Sequence, residues 1–237
     1  MAEADSVLIS GASSGIGLAT ASLLLEQGYR VIGLSRRGQV KQLEHENFTA
    51  LALDLDDLPQ LETQLKKLLE TREIEAFVHA AGQGHFGSVE QFSVAQMESA
   101  LRINLISAMV ICRGLLPQLR RRRKGRLIFI GSESAIAAGK KGALYCASKF
   151  GLRGFCLSLR DDCASDGIQV SLINPGMVRS PFFDELAFAP GAKSENAIAV
   201  TDVAQLVWQI MQSSPDIVID EVNLSPRVKT VEFGNKN

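Results

Sequence analysis

Tyr145 and Lys149 stand four residues apart in the run Tyr145-Cys146-Ala147-Ser148-Lys149. On a helix that spacing puts both side chains on one face, where the ammonium can act on the phenol. A phenol alone has a pKa of about 10 and is a poor proton shuttle near neutrality, but a nearby cation favours its ionised form and draws it toward working pH. The pair is therefore a candidate general acid and base. Ser132, thirteen residues upstream, offers a hydroxyl that can hold a substrate oxygen. Asn104 lies in the middle of an amphipathic helical pattern, where Asn is locally unfavourable and invites an explanation. The bland alternative is an exposed helical Asn, which costs little.

These groups need a scaffold. Short apolar runs alternate with longer helical patterns along the whole chain, the signature of a parallel sheet covered on both faces by helices. Strands are predicted at 7–10, 29–34, 49–53, 76–79, 126–130, 169–173 and 217–223. Gly11, Gly15 and Gly17 follow the first strand and open a helix that continues through Glu26. Gly11 allows a tight turn, Gly15 lets backbone approach a pyrophosphate, and Gly17 lets the helix pack close to the sheet. The helix N-terminus then offers free N–H groups to that anion. Ser93 and Gln96 resemble a capping box that starts a helix running past Asn104 to about Arg120. Gly125 is expected to stop it, after the basic run 120–124, which reads as a solvated helix end. Thr201 and Asp202 are expected to cap the last long helix.

The 237 residues, 46% of them hydrophobic, suit one domain over 1–237. A net charge of -1 provides no field to recruit nucleic acid, and no apolar run in the sequence reaches bilayer length, so no nucleic-acid or membrane partner is expected. The acidic first residues do not read as a secretory signal, and the expectation is a cytoplasmic protein. Cys112, Cys146, Cys156 and Cys163 show neither a C-x-x-C pair nor histidines at ligand spacing, so packed, reduced thiols are expected, with no metal and no disulfide.

The glycine turn, the Ala80-Ala81-Gly82 segment, Asn104, Ser132, Tyr145-x-x-x-Lys149 and Pro175-Gly176 occur in the order and near the spacing of the short-chain dehydrogenase/reductase family. A lone Tyr-x-x-x-Lys is weak, but the full set is specific, and the resemblance covers essentially the whole chain. It implies an α/β Rossmann-type fold, a doubly wound seven-stranded parallel sheet in the order 3-2-1-4-5-6-7. It also implies an oxidoreductase that moves hydride between a nicotinamide cofactor and a secondary alcohol or ketone. Within that resemblance Tyr145 exchanges the proton, Lys149 lowers its pKa and binds the nicotinamide ribose, Ser132 orients the substrate oxygen, and Asn104 holds a water in a proton relay. Ser13, Ser14 and Ile16 join the three glycines at the phosphates, Asp54 and Leu55 meet the adenine, and Ala81 and Gly82 let the cofactor lie close. Pro175, Gly176 and Val178 contact the nicotinamide, and Ser180 stands near the phosphates.

The second strand ends in Ser35-Arg36-Arg37, with no acid for the adenosine ribose and two guanidiniums able to pair with a 2'-phosphate. NADP(H) is accordingly expected in preference to NAD(H); two solvated arginines are the alternative. Several positions depart from the family pattern. Ser10 stands for the usual Thr, and His79 for the usual Asn, with a structural role for His79 favoured over a catalytic one. Glu133 and Ser134 replace small residues and are placed to touch substrate, His85 and Phe86 are expected at the mouth of its site, and His45 on the surface. Residues 181–199 read as a short lid with a break at 189–191, implying a small or loosely held substrate, and Arg179 or Lys140 could hold a carboxylate. Lid and ending look most like the NADP-dependent serine/3-hydroxy acid dehydrogenase branch. The two long helices resemble the family's interface helices, so a homodimer or homotetramer is expected. A cofactor-sensing binding protein that keeps the fold is the alternative function.

Overall fold

The computed structural model of the chain describes residues 6–38 and 40–234. Seven parallel strands form the central sheet: β1 (Ser6–Ser10), β2 (Arg30–Ser35), β3 (Phe48–Ala52), β4 (Ile74–His79), β5 (Gly125–Ile130), β6 (Ile168–Pro175) and β7 (Glu221–Leu224), in the order β3-β2-β1-β4-β5-β6-β7. This is the expected doubly wound topology. The chain leaves β1 toward one edge and β4 toward the other, so a crevice opens between their C-terminal ends.

Alternation along the strands divides the core into two layers, because successive side chains point to opposite faces. Leu8, Phe77, Leu127, Phe129 and Leu172 pack beneath α2 (Leu58–Thr71), α4 (Ser107–Arg122) and α5 (Ala143–Cys163). Val7, Ile9, Val78, Ile128 and Ile173 pack on the other face against α1 (Gly15–Glu26) and α6 (Val200–Gln212). The central strands β1, β4, β5 and β6 are buried on both faces, which is why their sequences read as continuous apolar runs, whereas the edge strands β3 and β7 are half-buried or exposed. The four cysteines are buried and unpaired.

The helix over 94–122 is built as expected at its start: Gln96 N donates to Ser93 Oγ at 3.2 Å and Ser93 N to Gln96 Oε1 at 2.9 Å. It is not uniform, however. α3 (Val94–Leu101) passes through a π-helical turn, Arg102–Ile106, before α4 continues. It ends at Arg123, whose φ of 49° is the left-handed stop, while Gly125 already belongs to β5. The basic run is mostly exposed, as expected of a solvated helix end, and part of it is also paired: Arg120 with Asp166 at 2.8 Å and Lys124 with Glu75 at 2.9 Å. By length and composition alone Val94–Arg122 could cross a membrane, contrary to the reading of the sequence, but Ile111, Cys112, Leu115 and Leu119 are buried in the core against the sheet.

Two further boundaries differ from expectation. β7 begins at Glu221 rather than 217, because Gln169 Nε2 donates to the carbonyls of Ser214 and Ile217 and holds that stretch as a loop. The cap of α6 is Ala199, whose N–H donates to Asp202 Oδ2 at 3.2 Å, so Asp202 closes the turn and Thr201 does not cap it.

Candidate active site

A cleft of about 640 Å³ lies across the C-terminal edge of the sheet. Gly11, Ser13, Ser14, Gly15, Ile16, Arg36, Arg37, Asp54, Leu55, Ala81, Gly82, Ser132, Tyr145, Lys149, Pro175, Gly176, Val178 and Ser180 all line it. Gly17 and Asn104 do not: both are buried behind the wall.

The glycine turn is shaped by backbone demands. Gly11 has φ of 73°, and a Cβ there would sit 2.8 Å from the Ala81 backbone, so any side chain would force β1 and β4 apart. Gly15 has φ of 55° and faces the cleft, with Ser180 across from it. A Cβ on Gly17 would lie 2.2 Å from the Gly11 carbonyl oxygen, so this glycine packs α1 against the turn itself. The N-terminus of α1 therefore opens onto the cleft with unobstructed N–H groups. Exposed Arg36 and Arg37 follow β2 at the same end, and the buried Ser35 hydroxyl on that wall has no partner among the described residues. Backbone donors, two guanidiniums and an unsatisfied hydroxyl fit the phosphates and ribose of a dinucleotide.

At the other end α5 presents Tyr145 and Lys149 on one face, with Lys149 Nζ 5.9 Å from the Tyr145 ring centroid. Ser132 caps a short helical turn after β5, its Oγ accepting from Ser134 N at 3.1 Å, and it lines the cleft with Tyr145. Lys149 Nζ donates to the Ile130 carbonyl at 3.0 Å. Asn104, carried inward by the π turn, accepts from Gln83 N at 2.8 Å and donates to Gln83 O and Ser148 Oγ, each at 3.0 Å. Ser148 Oγ in turn donates to the Tyr145 carbonyl at 2.7 Å. Asn104 is thus a fully bonded group that ties β4's outgoing loop to α5, not an exposed helical residue. Its Oδ1 and Lys149 Nζ both lie 3.5 Å from the space a Gly82 side chain would occupy.

The electrostatics differ from expectation. Burial pushes the Tyr145 phenol up to about 12, opposed by the Ser132 hydroxyl and reinforced by Cys146 and Glu133. Burial brings Lys149 down to about 8. Desolvation at Tyr145 thus outweighs the cationic help the sequence implies, and Tyr145 holds its proton at neutral pH. His79 is completely buried at the end of β4, where its Nδ1 lies 2.9 Å from Ser10 Oγ, and burial, with the Lys149 charge adding, lowers its pKa to about 3. It is a neutral structural group, as favoured from sequence.

Residues beyond the expected set complete the site. Asn174 Oδ1 accepts from Ser132 N at 3.3 Å, and its Nδ2 donates to Glu221 at 2.6 Å and Asn223 at 3.0 Å. Glu221 is held by both Nε and Nη2 of Arg153, at 2.8 and 3.0 Å. The lid differs from expectation at 189–191, where a break was expected and Ala189 and Pro190 instead belong to a short strand. Phe188–Pro190 pairs antiparallel with Val231–Phe233, Asn196 bonds Val228 O and Thr230 Oγ1, and Lys229 meets Glu133 at 2.7 Å across the mouth. Phe86 and Phe182 flank the Tyr145 ring at 5.0 and 5.8 Å, and Phe188 meets Phe86 edge-on at 4.9 Å. The carboxylate-holding candidates are elsewhere: Arg179 Nη2 donates to the carbonyls of Gly191 and Lys193 at 2.7 and 3.0 Å, and neither Arg179 nor Lys140 lines the cleft.

Comparisons with known proteins follow the same lines. The family model for short chain dehydrogenase matches residues 5–189. The uncharacterized oxidoreductase YbbO of Escherichia coli K12 is 32% identical over 184 residues, covering 76% of this chain and 68% of that one. The NADP-dependent 3-hydroxy acid dehydrogenase YdfG of Salmonella typhi is 28% identical over 233 residues, covering 93% of this chain and 94% of that one. The crystal structure of serine dehydrogenase from Escherichia coli superposes with a TM-score of 0.80 at 26% identity, covering 92% of this chain and 96% of that one. Sheet order, glycine turn and the Ser132, Tyr145 and Lys149 cluster agree with that match over most of the length: the chain belongs to the short-chain dehydrogenase family.

Proposed function

We propose that this oxidoreductase interconverts a secondary alcohol and a ketone with NADP(H) in preference to NAD(H). The observation that carries the reading is the convergence of Ser132, Tyr145 and Lys149 at one end of the cleft whose other end holds Arg36, Arg37 and the glycine turn. When bound, the nicotinamide supplies or accepts the hydride. Ser132 holds the substrate oxygen, and Tyr145 donates its proton to that oxygen in reduction and takes it back in oxidation. A phenol that keeps its proton at neutral pH suits the donor role. Lys149, still mostly charged at pH 7, stabilises the phenolate left behind and holds the nicotinamide ribose. Asn104 positions the Gln83 loop and Ser148 beneath Tyr145, and a water held near its Oδ1 and Lys149 Nζ would carry the replacement proton. Arg36 and Arg37 hold the 2'-phosphate, and absence of an acid at the end of β2 supports the same preference. Phe150 and Leu157, exposed on α5, support assembly of copies of the chain as a homodimer or homotetramer.

The test is Tyr145→Phe, which removes the hydroxyl and keeps the ring between its aromatic neighbours. NADPH binding should stay within about twofold while ketone-dependent NADPH oxidation falls by about 10²- to 10⁴-fold. Full turnover in that variant would sink the mechanism. Tight NADPH binding with no turnover in the parent protein, and a partner bound according to cofactor redox state, would favour a sensor instead.

A further inference from the structure

We propose that the substrate is an uncharged aryl or otherwise bulky apolar ketone, gripped by a phenylalanine clamp around Tyr145, rather than a small hydroxy acid; this inference rests on the oxidoreductase reading above. The clamp is assembled from two separate parts of the chain and backed by a third. Phe86 comes from the loop after β4 and Phe182, Phe183 and Phe188 from the lid, while the exposed Phe233 of the C-terminal strand does not line the cleft and backs Phe188 from outside. Ring contacts connect them all, from Tyr145 through Phe86 and Phe182 to Phe183 and Phe188, and on to Phe233 at 6.3 Å. Phe86, Phe182, Phe183 and Phe188 are only half-buried, each with a face open on the cleft. Large apolar surfaces held open beside a hydroxyl pair are what a flat, greasy ketone needs: rings to cover its body, and Tyr145 with Ser132 to meet its one polar atom.

Charge excludes the acid. Lys149 is committed to the Ile130 carbonyl and, in the reading above, to the phenolate and the nicotinamide ribose, Lys229 is paired with Glu133, and Arg36 and Arg37 lie at the far end with the glycine turn. Arg179 is engaged by two lid carbonyls outside the cleft. Glu185 adds negative charge on the lid side. A carboxylate entering here would lose its water without gaining a free cation. The lid is also short because it need not fold over by itself: the strand Val231–Phe233 fastens it, and Lys229 and Val231 form part of the wall. In reduction the ketone carbon gains hydride from NADPH, its oxygen gains the Tyr145 proton, and the products are the alcohol and NADP.

The experiment compares propiophenone, 4-acetylbenzoate and acetoacetate as substrates of the full chain with saturating NADPH. The expected result is a kcat/KM for propiophenone at least about tenfold above both acids. Phe182→Ala and Phe188→Ala should each lower the preference for propiophenone over acetoacetate by about tenfold, and Phe188→Leu, which keeps apolar bulk without the ring, by less. Preference for either acid would overturn the substrate class and leave the oxidoreductase reading intact. If no ketone is reduced, quenching of bound NADPH fluorescence by propiophenone separates the two ideas: binding without turnover retains the aromatic site and overturns hydride transfer, whereas no binding overturns the aromatic site.

Discussion

His79 makes the fold sensitive to acid in a way that can be separated from its carboxylates. The side chain is completely buried, flanked by Phe77 and Phe129 with ring centroids 5.9 and 6.4 Å away. In the folded chain its pKa falls from 6.5 to about 3 through burial and, secondarily, the Lys149 charge. The unfolded chain therefore binds the extra proton first, so stability from this group is complete above pH 6.5 and is lost as pH falls toward 3. At about 1.4 kcal/mol per unit, the loss between neutrality and pH of about 4.5 is about 3 kcal/mol. His79→Asn keeps an acceptor for Ser10 Oγ and removes the titration. Its smaller volume should cost about 1 to 2 kcal/mol at neutral pH. Urea unfolding of both proteins across this pH range gives the two profiles, and carboxylate contributions cancel in the difference. The variant should lose about 3 kcal/mol less than the parent on acidification. Profiles that stay parallel to within about 0.5 kcal/mol would refute the reasoning.

The remaining expectations concern cofactor and lid. Arg36→Asp should move the ratio of kcat/KM for NADPH over NADH toward NADH by about ten- to a hundredfold, since it replaces a phosphate-pairing cation with a ribose-binding acid; steady-state kinetics with both cofactors checks it. Deleting the chain from Arg227 onward removes the strand that fastens the lid and the Lys229–Glu133 pair. KM for a ketone should rise by about tenfold, and the thermal unfolding midpoint should fall modestly, because buried Asn196 loses Val228 and Thr230 although the strand Val231–Phe233 itself is exposed and outside the core.

How much of this was legible follows from where each feature's information lies. The glycine turn, Ser132 and the Tyr145-Lys149 spacing are local, each encoded within a few residues by backbone and helix geometry, and they read directly from sequence. The sheet was legible chiefly because its central strands are buried on both faces and so appear as apolar runs; the half-buried edge strand β7, with Glu221 and Asn223 in it, is the one whose start differs most from expectation. The phenylalanine clamp was not legible, because its rings come from residues 86, 182, 183 and 188, backed by 233, which no periodicity links. The Asn174 bond to Ser132 likewise depends on β6 lying beside β5, and the start of β7 on a side-chain amide from β6. Asn104 stands between these cases: its unfavourable place in a helix signalled a role, but the π turn that aims it inward appears only in the folded chain. The Tyr145 pKa was misread because a cation at helical spacing is visible in sequence, whereas the burial that outweighs it is not.

The central claim is hydride transfer at a carbonyl carbon beside Tyr145. Its most direct test uses NADPH carrying deuterium at the nicotinamide C4, a ketone turned over by the protein, and mass spectrometry of the product. The account expects one deuterium on the carbinol carbon, from one face of the nicotinamide only, and with Tyr145→Phe at least about a hundredfold less alcohol formed, labelled at the same carbon. Alcohol formed without deuterium from either C4-labelled epimer, or as much labelled alcohol from Tyr145→Phe as from the parent protein, would contradict it.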